Sequence, residues 1–283
     1  MKRPLLLLLA LSLLLSACSS VSLAYRNLDW LIPWRLNDYL TLSSEQQAWL
    51  KPRLQAHLAW HCSTELPHTL TWLAQARTLL DQPAGPSPEQ VQEQMAEFDA
   101  ALKRITVEIT PTAIELLQGL NPKQVAELNA AMAEDDREDR QDFLEPDLPA
   151  QIRERAERME ERLRPWFGRL SDAQQARIVQ WSTGLGQQNR VWLENRQRWQ
   201  DELRTALDAR RSSDFAGRLT RLLQEREAFY TEGYRTAYPQ ARAALAELFS
   251  DLLGSADSQQ RERLDHRLRD LHRDLAAQTC AAG

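Results

Sequence analysis

The sequence predicts an all-α fold: a single elongated multi-helix domain behind an N-terminal leader. Three observations carry that reading. Val and Ile together number only 12 in 283 residues, while Leu and Ala dominate, which is the composition of helices rather than sheets. A Ser, Asn or Asp followed three residues later by Gln recurs ahead of stretches with helical period. Within those stretches apolar residues step by threes, fours and sevens. With 43% apolar and 27% charged residues the chain has enough of both to fold around a core. The formal net charge is −5, or −7 once Lys2 and Arg3 leave with the leader, so nothing electrostatic favours nucleic acid as a partner. Nine glycines are too few for a nucleotide fold built on Gly-rich turns, and no nucleotide or other cofactor is expected.

The leader comes first. Lys2 and Arg3 precede an apolar run from Leu5 to Leu15, too short to span a bilayer and flanked like a secretory signal. It ends in Leu15-Ser16-Ala17-Cys18, which resembles the bacterial lipobox. That resemblance implies cleavage before Cys18 and acylation of Cys18, so that the mature chain holds the membrane through its acyl chains. Ser19 and Ser20 follow without an Asp, which by the same resemblance favours the outer membrane; the periplasmic face is the expected side, although the residues themselves do not distinguish it from the cell exterior. The expected layout is a signal peptide at 1–17, a lipid-anchored tether at 18–24 and a helical domain at 25–283.

The helix starts follow in order. Ser43–Gln46, Ser87–Gln90, Asn121–Gln124, Ser171–Gln174 and, more weakly, Asp257–Gln260 all read as capping boxes, and Gly119 is placed to end the helix before the third. Phe98, Leu102, Ile105 and Ile109 share one helix face, so the alternating segment 105–110 is read as helix ending near Thr110-Pro111. Asp81–Pro86 reads as a linker and Glu145–Pro149 as a second break. Residues 151–164 read as a solvated helix laced by Arg153–Glu157, Glu154–Arg158 and Glu160–Arg164, with Ile152, Ala156, Met159 and Leu163 as its thin apolar stripe. Ile178, Trp181, Leu185, Trp192, Trp199 and Leu203 mark another face, and Gly184 and Gly186 within it predict a bend or a close crossing. Trp49, Trp60, Trp72, Trp166 and Trp181 are expected in the core.

Few residues suggest chemistry. Cys62 and Cys280 are an even pair for an oxidising compartment and predict a disulfide across 218 positions. His57, His61 and Cys62, with His68 beyond, have spacing that can bind zinc, but no fourth ligand is evident and no metal site is expected. The acidic run Glu134–Asp142 lacks the spacing and Gly of a calcium loop and reads as a solvated helix end. Glu108 and Glu115 read as structural hydrogen-bonding carboxylates rather than a catalytic pair. No catalytic motif is present and no enzyme activity is expected. The aromatic segment Tyr25–Trp34 leaves three readings open: a belt at the lipid headgroups, a partner anchor, or a first helix packed in the core. Its Tyr25, Trp30 and Trp34 are the candidates for partner or membrane contact.

Tyr25–Trp34, Leu50–Leu54, Trp60-His61-Cys62, Glu108–Thr112 and Arg164–Trp166 together resemble a bacterial outer-membrane lipoprotein family known only as a domain of unknown function. The likeness implies an all-helical lipoprotein without a known activity. Leu42–Gln46, Leu120–Gln124 and Leu170–Gln174 are similar to the LTxxQ boxes of periplasmic chaperones, although the Thr is missing from each. The Arg-x-x-Phe-Asp-Tyr signature of lipase-specific chaperones is not found. The expected function is therefore a non-enzymatic, protein-binding scaffold or accessory subunit at the outer membrane; the alternative is a holdase for unfolded envelope proteins.

Overall fold

A computed structural model of the chain describes residues 25–278 and residue 280. The signal peptide, Cys18 and the tether lie outside the described residues. Eleven α-helices follow one another with no strand among the described residues, so the chain is all-α. They are α1 (Leu28–Leu36), α2 (Ser44–Trp60), α3 (Leu66–Leu80), α4 (Pro88–Gln118), α5 (Pro122–Phe143), α6 (Leu148–Phe167), α7 (Asp172–Gly184), α8 (Gln188–Asp208), α9 (Phe215–Gln224), α10 (Glu232–Gly254) and α11 (Ser258–Ala276). A π-helical turn at His61–Glu65 joins α2 to α3 into one rod, and a 3₁₀ turn at Arg226–Phe229 precedes α10. No described helix is long and apolar enough to cross a membrane.

All five capping boxes are present, each with its side chain taking the N3 amide and its Gln reaching back to the cap. Four of those glutamines do more. Gln124 Nε2 donates to Gln46 Oε1 (2.6 Å) and to the Thr41 carbonyl (2.9 Å), and Gln46 Nε2 donates back at 3.2 Å. The arrangement recurs in the second half of the chain. Gln260 Nε2 donates to Gln174 Oε1 (3.0 Å) and to the Arg169 carbonyl (2.9 Å), and Gln174 donates back at 2.9 Å. Thr41 precedes Gln46 by the five positions that separate Arg169 from Gln174. Each pair clamps two helix starts together in a buried setting, where an unpaired amide would be costly.

The apolar interior is divided. One core joins the α1–α2 loop, α2, the α4–α5 junction, α8 and α9 through residues such as Leu42, Leu120, Leu207, Phe215 and Leu219. A second joins α6, α7, α10 and α11 around Ile178, Leu248 and Leu252. A third, small one joins Cys62, Leu66, Leu73 and Leu275. Helix α4 runs against α2, α3, α9 and α10, and α11 against α3 and α6. Trp49, Trp72, Trp166 and Trp181 sit half-buried at the rims of these cores rather than in them. The Trp72 indole N–H donates to the Gln94 carbonyl (3.2 Å), whereas that of Trp181 is buried without a partner among the described residues.

Several expectations are corrected. Helix α4 does not end at Thr110-Pro111 but continues to Gln118. Pro111 removes one ladder bond, at a cost of about 3 kcal/mol in an isolated helix, and the packing of α4 on four neighbours outweighs it. At Gly184 and Gly186 the expected single helix is broken: Gly184 is the last residue of α7, Gly186 (φ 49°) sits in the turn before α8, and open space around both rules out a close crossing. In residues 151–164 the apolar stripe packs as expected, with Ala156 and Leu163 buried and Met159 against them, but one of the charged residues is buried as well. Arg155 is buried, and its guanidinium caps the broken helix by donating to the carbonyls of Ser182 (2.9 Å) and Gly186 (3.2 Å) and to Asn189 Oδ1 (3.0 Å). Of the three ion pairs expected there, Glu154–Arg158 forms, at 3.7 Å. The linker Asp81–Pro86 is pinned: Arg261 donates to the carbonyls of Leu80 and Gln82 (3.2 Å each), and Ser250 to that of Pro86 (2.7 Å). Gly85, at φ 74°, lies so close to Gly254 that a Cβ would stand 2.7 Å from its amide nitrogen. The acidic run is also more than a solvated end, because Asp135, Asp136 and Asp139 all face Arg196 of α8.

Candidate functional site

The apolar stripe read from the sequence on α4 is real and is left uncovered over its middle. Phe98 is 52% exposed, Leu102 46% and Ile109 41%, with Ile105 half-buried between them. Their spacing of four, three and four is that of a seam which accepts a second helix. Phe98 is steadied by Trp72, whose ring centroid lies 6.4 Å away.

A polar seam between α4 and the α2–α3 rod lies beside this stripe. Arg53 donates to Glu115 at 3.5 Å. One turn on, His57 Nδ1 meets Glu108 Oε1 at 3.0 Å and His57 Nε2 meets Thr112 Oγ1 at 2.7 Å. In the tautomer that carries its proton on Nδ1, His57 donates to Glu108 and accepts from the Thr112 hydroxyl. At the π turn Arg104 grips Glu65 with two bonds, 2.8 and 2.9 Å, although Glu65 is only 1% exposed. The guanidinium holds the Glu65 carboxyl below its ordinary range, chiefly through those bonds. Glu108, His57 and Thr112 have the acid–imidazole–hydroxyl order of a nucleophilic triad. Thr112, however, lies inside α4, where the surrounding amides are spent in the helical ladder and none is free to hold an oxyanion. The arrangement fits a seam that fixes the rod to α4.

The seam redistributes the residues singled out for metal. His57 faces α4, His61 Nδ1 meets the Tyr25 hydroxyl at 3.0 Å, and Cys62 bonds Cys280 with Cα atoms 5.5 Å apart. Burial pushes the His61 imidazole down. Among the described residues no group of His, Cys, Asp or Glu is placed to hold a metal ion. The disulfide ties the exposed end of the chain after α11 to the π turn.

The N-terminal aromatic segment divides. Tyr25 turns inward onto His61 and the smallest core. Trp30 and Trp34 face outward, 61% and 53% exposed, with rings stacked at 6.0 Å. Helix α1 buries no residue fully, so the reading that packs it into the core fails for its tryptophans. Glu108 and Glu115 are structural hydrogen-bonding carboxylates, as the sequence suggested; their partners Arg53 and His57 were missed because they come from a distant helix. The signal available was the i, i+4 spacing of Arg53 with His57 and of Glu108 with Thr112.

No curated protein and no solved structure matches the chain. A family model described as a family of unknown function, DUF6279, matches residues 38–235. That span holds α2 to α9, the uncovered stripe and the seam; α1, with Tyr25, Trp30 and Trp34, and Cys280 lie outside it. The chain belongs to this family of unknown function, DUF6279.

Proposed function

We propose that this is a lipid-anchored protein of the bacterial outer membrane that works without catalysis, as a scaffold or accessory subunit holding a helix of another envelope protein. The observation that carries the reading is the uncovered stripe Phe98–Leu102–Ile105–Ile109 on the longest helix. Three apolar side chains 41–52% exposed in one helical row are a surface that a soluble domain gains from covering. The anchor rests on the lipobox at Cys18. A seven-residue tether reaches about 25 Å at full extension, which keeps α1 and its exposed tryptophans near the headgroups.

A photo-crosslinking residue at Leu102 in the lipidated protein, in cells, tests this. One or two dominant envelope proteins at that position support an accessory subunit. A broad, stress-dependent set would replace it with the holdase. No crosslink above that of a residue on the opposite side of α4 sinks both. Normal processing of Cys18→Ala by the lipoprotein peptidase would remove the anchor.

A further inference from the structure

A cleft of about 410 Å³ lies between α5, α8 and the start of α10, away from the α4 stripe. Its size is that of a small-ligand site. Trp192 and Trp199 of α8, Phe229 and Tyr230 of the 3₁₀ turn and Tyr234 of α10 supply aromatic walls. Trp192 is 37% exposed, and Phe143 meets its ring in a T at 5.9 Å. Polar groups stand between the rings, and several are unused among the described residues. Asp135 takes the Tyr39 hydroxyl on Oδ2 (2.6 Å) and keeps Oδ1 as an open acceptor. Asn195 spends its oxygen on the Thr231 amide (2.9 Å) and keeps its NH₂. Arg226 carries no ion pair. The Tyr234 hydroxyl is unbonded, and burial pushes its pKa up to about 12, so it stays protonated.

The two most buried lining residues differ in kind. Met132 offers an apolar contact. Gln200, 4% exposed, accepts from Arg204 at 3.5 Å and keeps its amide N–H groups for the cleft. Tyr230 also lines a second, more open cleft of about 1000 Å³ towards the start of α4. There Tyr238 continues the aromatic wall, and Glu93 and Glu227 face the same space as Arg235 and Arg242. Tyr230 meets Tyr238 at 5.8 Å, so the two clefts adjoin along these rings. Acceptors and donors alternate with aromatic rings through both.

That mixture narrows the ligand. An acyl chain would strip water from Asp135 and Arg226 and return no hydrogen bond. A phosphorylated ligand would meet the Asp135 carboxylate and then Glu93 and Glu227, while Arg196 is already spent on Asp135, Asp136 and Asp139. A sugar ring suits both kinds of wall. Its C–H faces lie on the electron-rich faces of aromatic rings, and each hydroxyl at its edge donates and accepts. An acetamido substituent adds a methyl group beside a carbonyl, which matches Met132 beside the Gln200 amide. We infer that the two clefts bind a chain of N-acetylated sugars, with an acetamido group seated on Met132 and Gln200. The site is separate from the stripe on α4 and goes beyond the reading built on it.

Chitotetraose titrated into the full-length protein, held in a detergent without sugar groups and followed by calorimetry, tests the assignment. Saturable one-to-one binding is expected. Trp192→Ala should weaken it about tenfold or more, and Tyr234→Phe, which keeps the ring and removes the hydroxyl, about two- to tenfold. Cellotetraose has a hydroxyl in place of each acetamido group and should bind at least about tenfold more weakly. Leu102→Asp on the α4 stripe should leave chitotetraose binding unchanged, so failure here and failure of the helix-binding reading are distinguishable. A thermal melt shows whether Trp192→Ala folds; Tyr234→Phe and cellotetraose carry the test if it does not. Retention on murein sacculi that Tyr234→Phe weakens would identify a wall glycan as the source. Chitotetraose binding without such retention would assign the site to soluble chains. No binding of chitotetraose, equal binding of cellotetraose, or binding indifferent to Tyr234→Phe overturns the proposal. So does tighter binding of decaproline at the same residues.

Discussion

Replacing Arg104 by Met leaves the Glu65 carboxylate in place, buried and without its cation. The wild-type pair is bidentate at 2.8 and 2.9 Å, with Glu65 1% exposed and the Arg104 side chain 40% exposed. Breaking a fully buried pair costs about 3–5 kcal/mol, because the remaining charge keeps its desolvation penalty. Arg104 is partly wet, so water reaches the vacated space and the expected loss is about 2–4 kcal/mol at pH 7. The pH dependence separates this cause from lost packing. In the wild type the Arg104 bonds hold Glu65 below its ordinary value of 4.5. Their stabilisation is present above 4.5 and is lost as pH falls through the lower folded value. In the variant, burial acts on Glu65 without the cation and pushes it up, so the folded protein takes a proton earlier and the penalty shrinks on acidification. Urea unfolding followed by circular dichroism should show a gap between the two proteins that narrows from pH 7 to pH 4. The double variant Arg104→Met, Glu65→Leu should recover much of the loss. A gap below about 1 kcal/mol at pH 7, a gap independent of pH, or a double variant no better than the single would refute the buried-pair argument.

Other perturbations have equally defined outcomes. Closing a loop between Cys62 and Cys280 restricts the unfolded chain by up to about 5 kcal/mol in the chain-entropy model, so reductant should lower the melting temperature. Alkylation of both thiols in the native, unreduced protein would show that no bridge exists. Gly85→Ala should destabilise by about 1–3 kcal/mol, since its Cβ would meet the Gly254 backbone at 2.7 Å and φ is 74°. Gly217→Ala, inside α9 with open space around it, should stabilise by about 0.5–1 kcal/mol; equal effects at the two sites in chemical denaturation would discredit the close-approach argument. The double variant Trp30→Ala, Trp34→Ala should leave the melt unchanged and, under the proposed acylation of Cys18, should reduce the quenching of the protein's fluorescence by brominated lipids in vesicles. A large loss of stability would show that these rings are packed after all.

Local signals in this sequence are legible and tertiary ones are not. The capping boxes at Ser43, Ser87, Asn121, Ser171 and Asp257 depend on residues three apart, and each marks a helix start. Pro111 misled because a local rule for ending helices met a helix held on several sides. The row Phe98–Ile109 was readable as a helix face, but a face covered by its own chain and one left for a partner have the same spacing. Likewise, nothing local in Gln46 or Gln124 distinguishes a capping glutamine from one that also clamps a second helix start 78 positions away.

Arginine shows how the parts combine. Thirty-one arginines against four lysines read as genome composition put to use on salt-bridged faces. Several have a different task. Arg155 spans the carbonyls freed where α7 breaks from α8. Arg210 donates to the carbonyls of Leu120 (2.8 Å) and Leu207 (3.1 Å), joining the α4–α5 turn to the end of α8. Arg261 fans across the Asp81–Pro86 turn and the end of α10, reaching Leu80, Gln82, Pro83, Leu253 and Gly254 at 3.2–3.4 Å. Helix ends leave carbonyls unsatisfied, and only a planar group with five donors reaches several at once. A lysine offers three donors from one atom and could not bridge two turns in this way. With helix junctions closed by guanidinium and glutamine, the three cores need not merge into one. The middle of α4 then needs no cover from its own chain for the fold to hold, and Phe98, Leu102 and Ile109 stay exposed there.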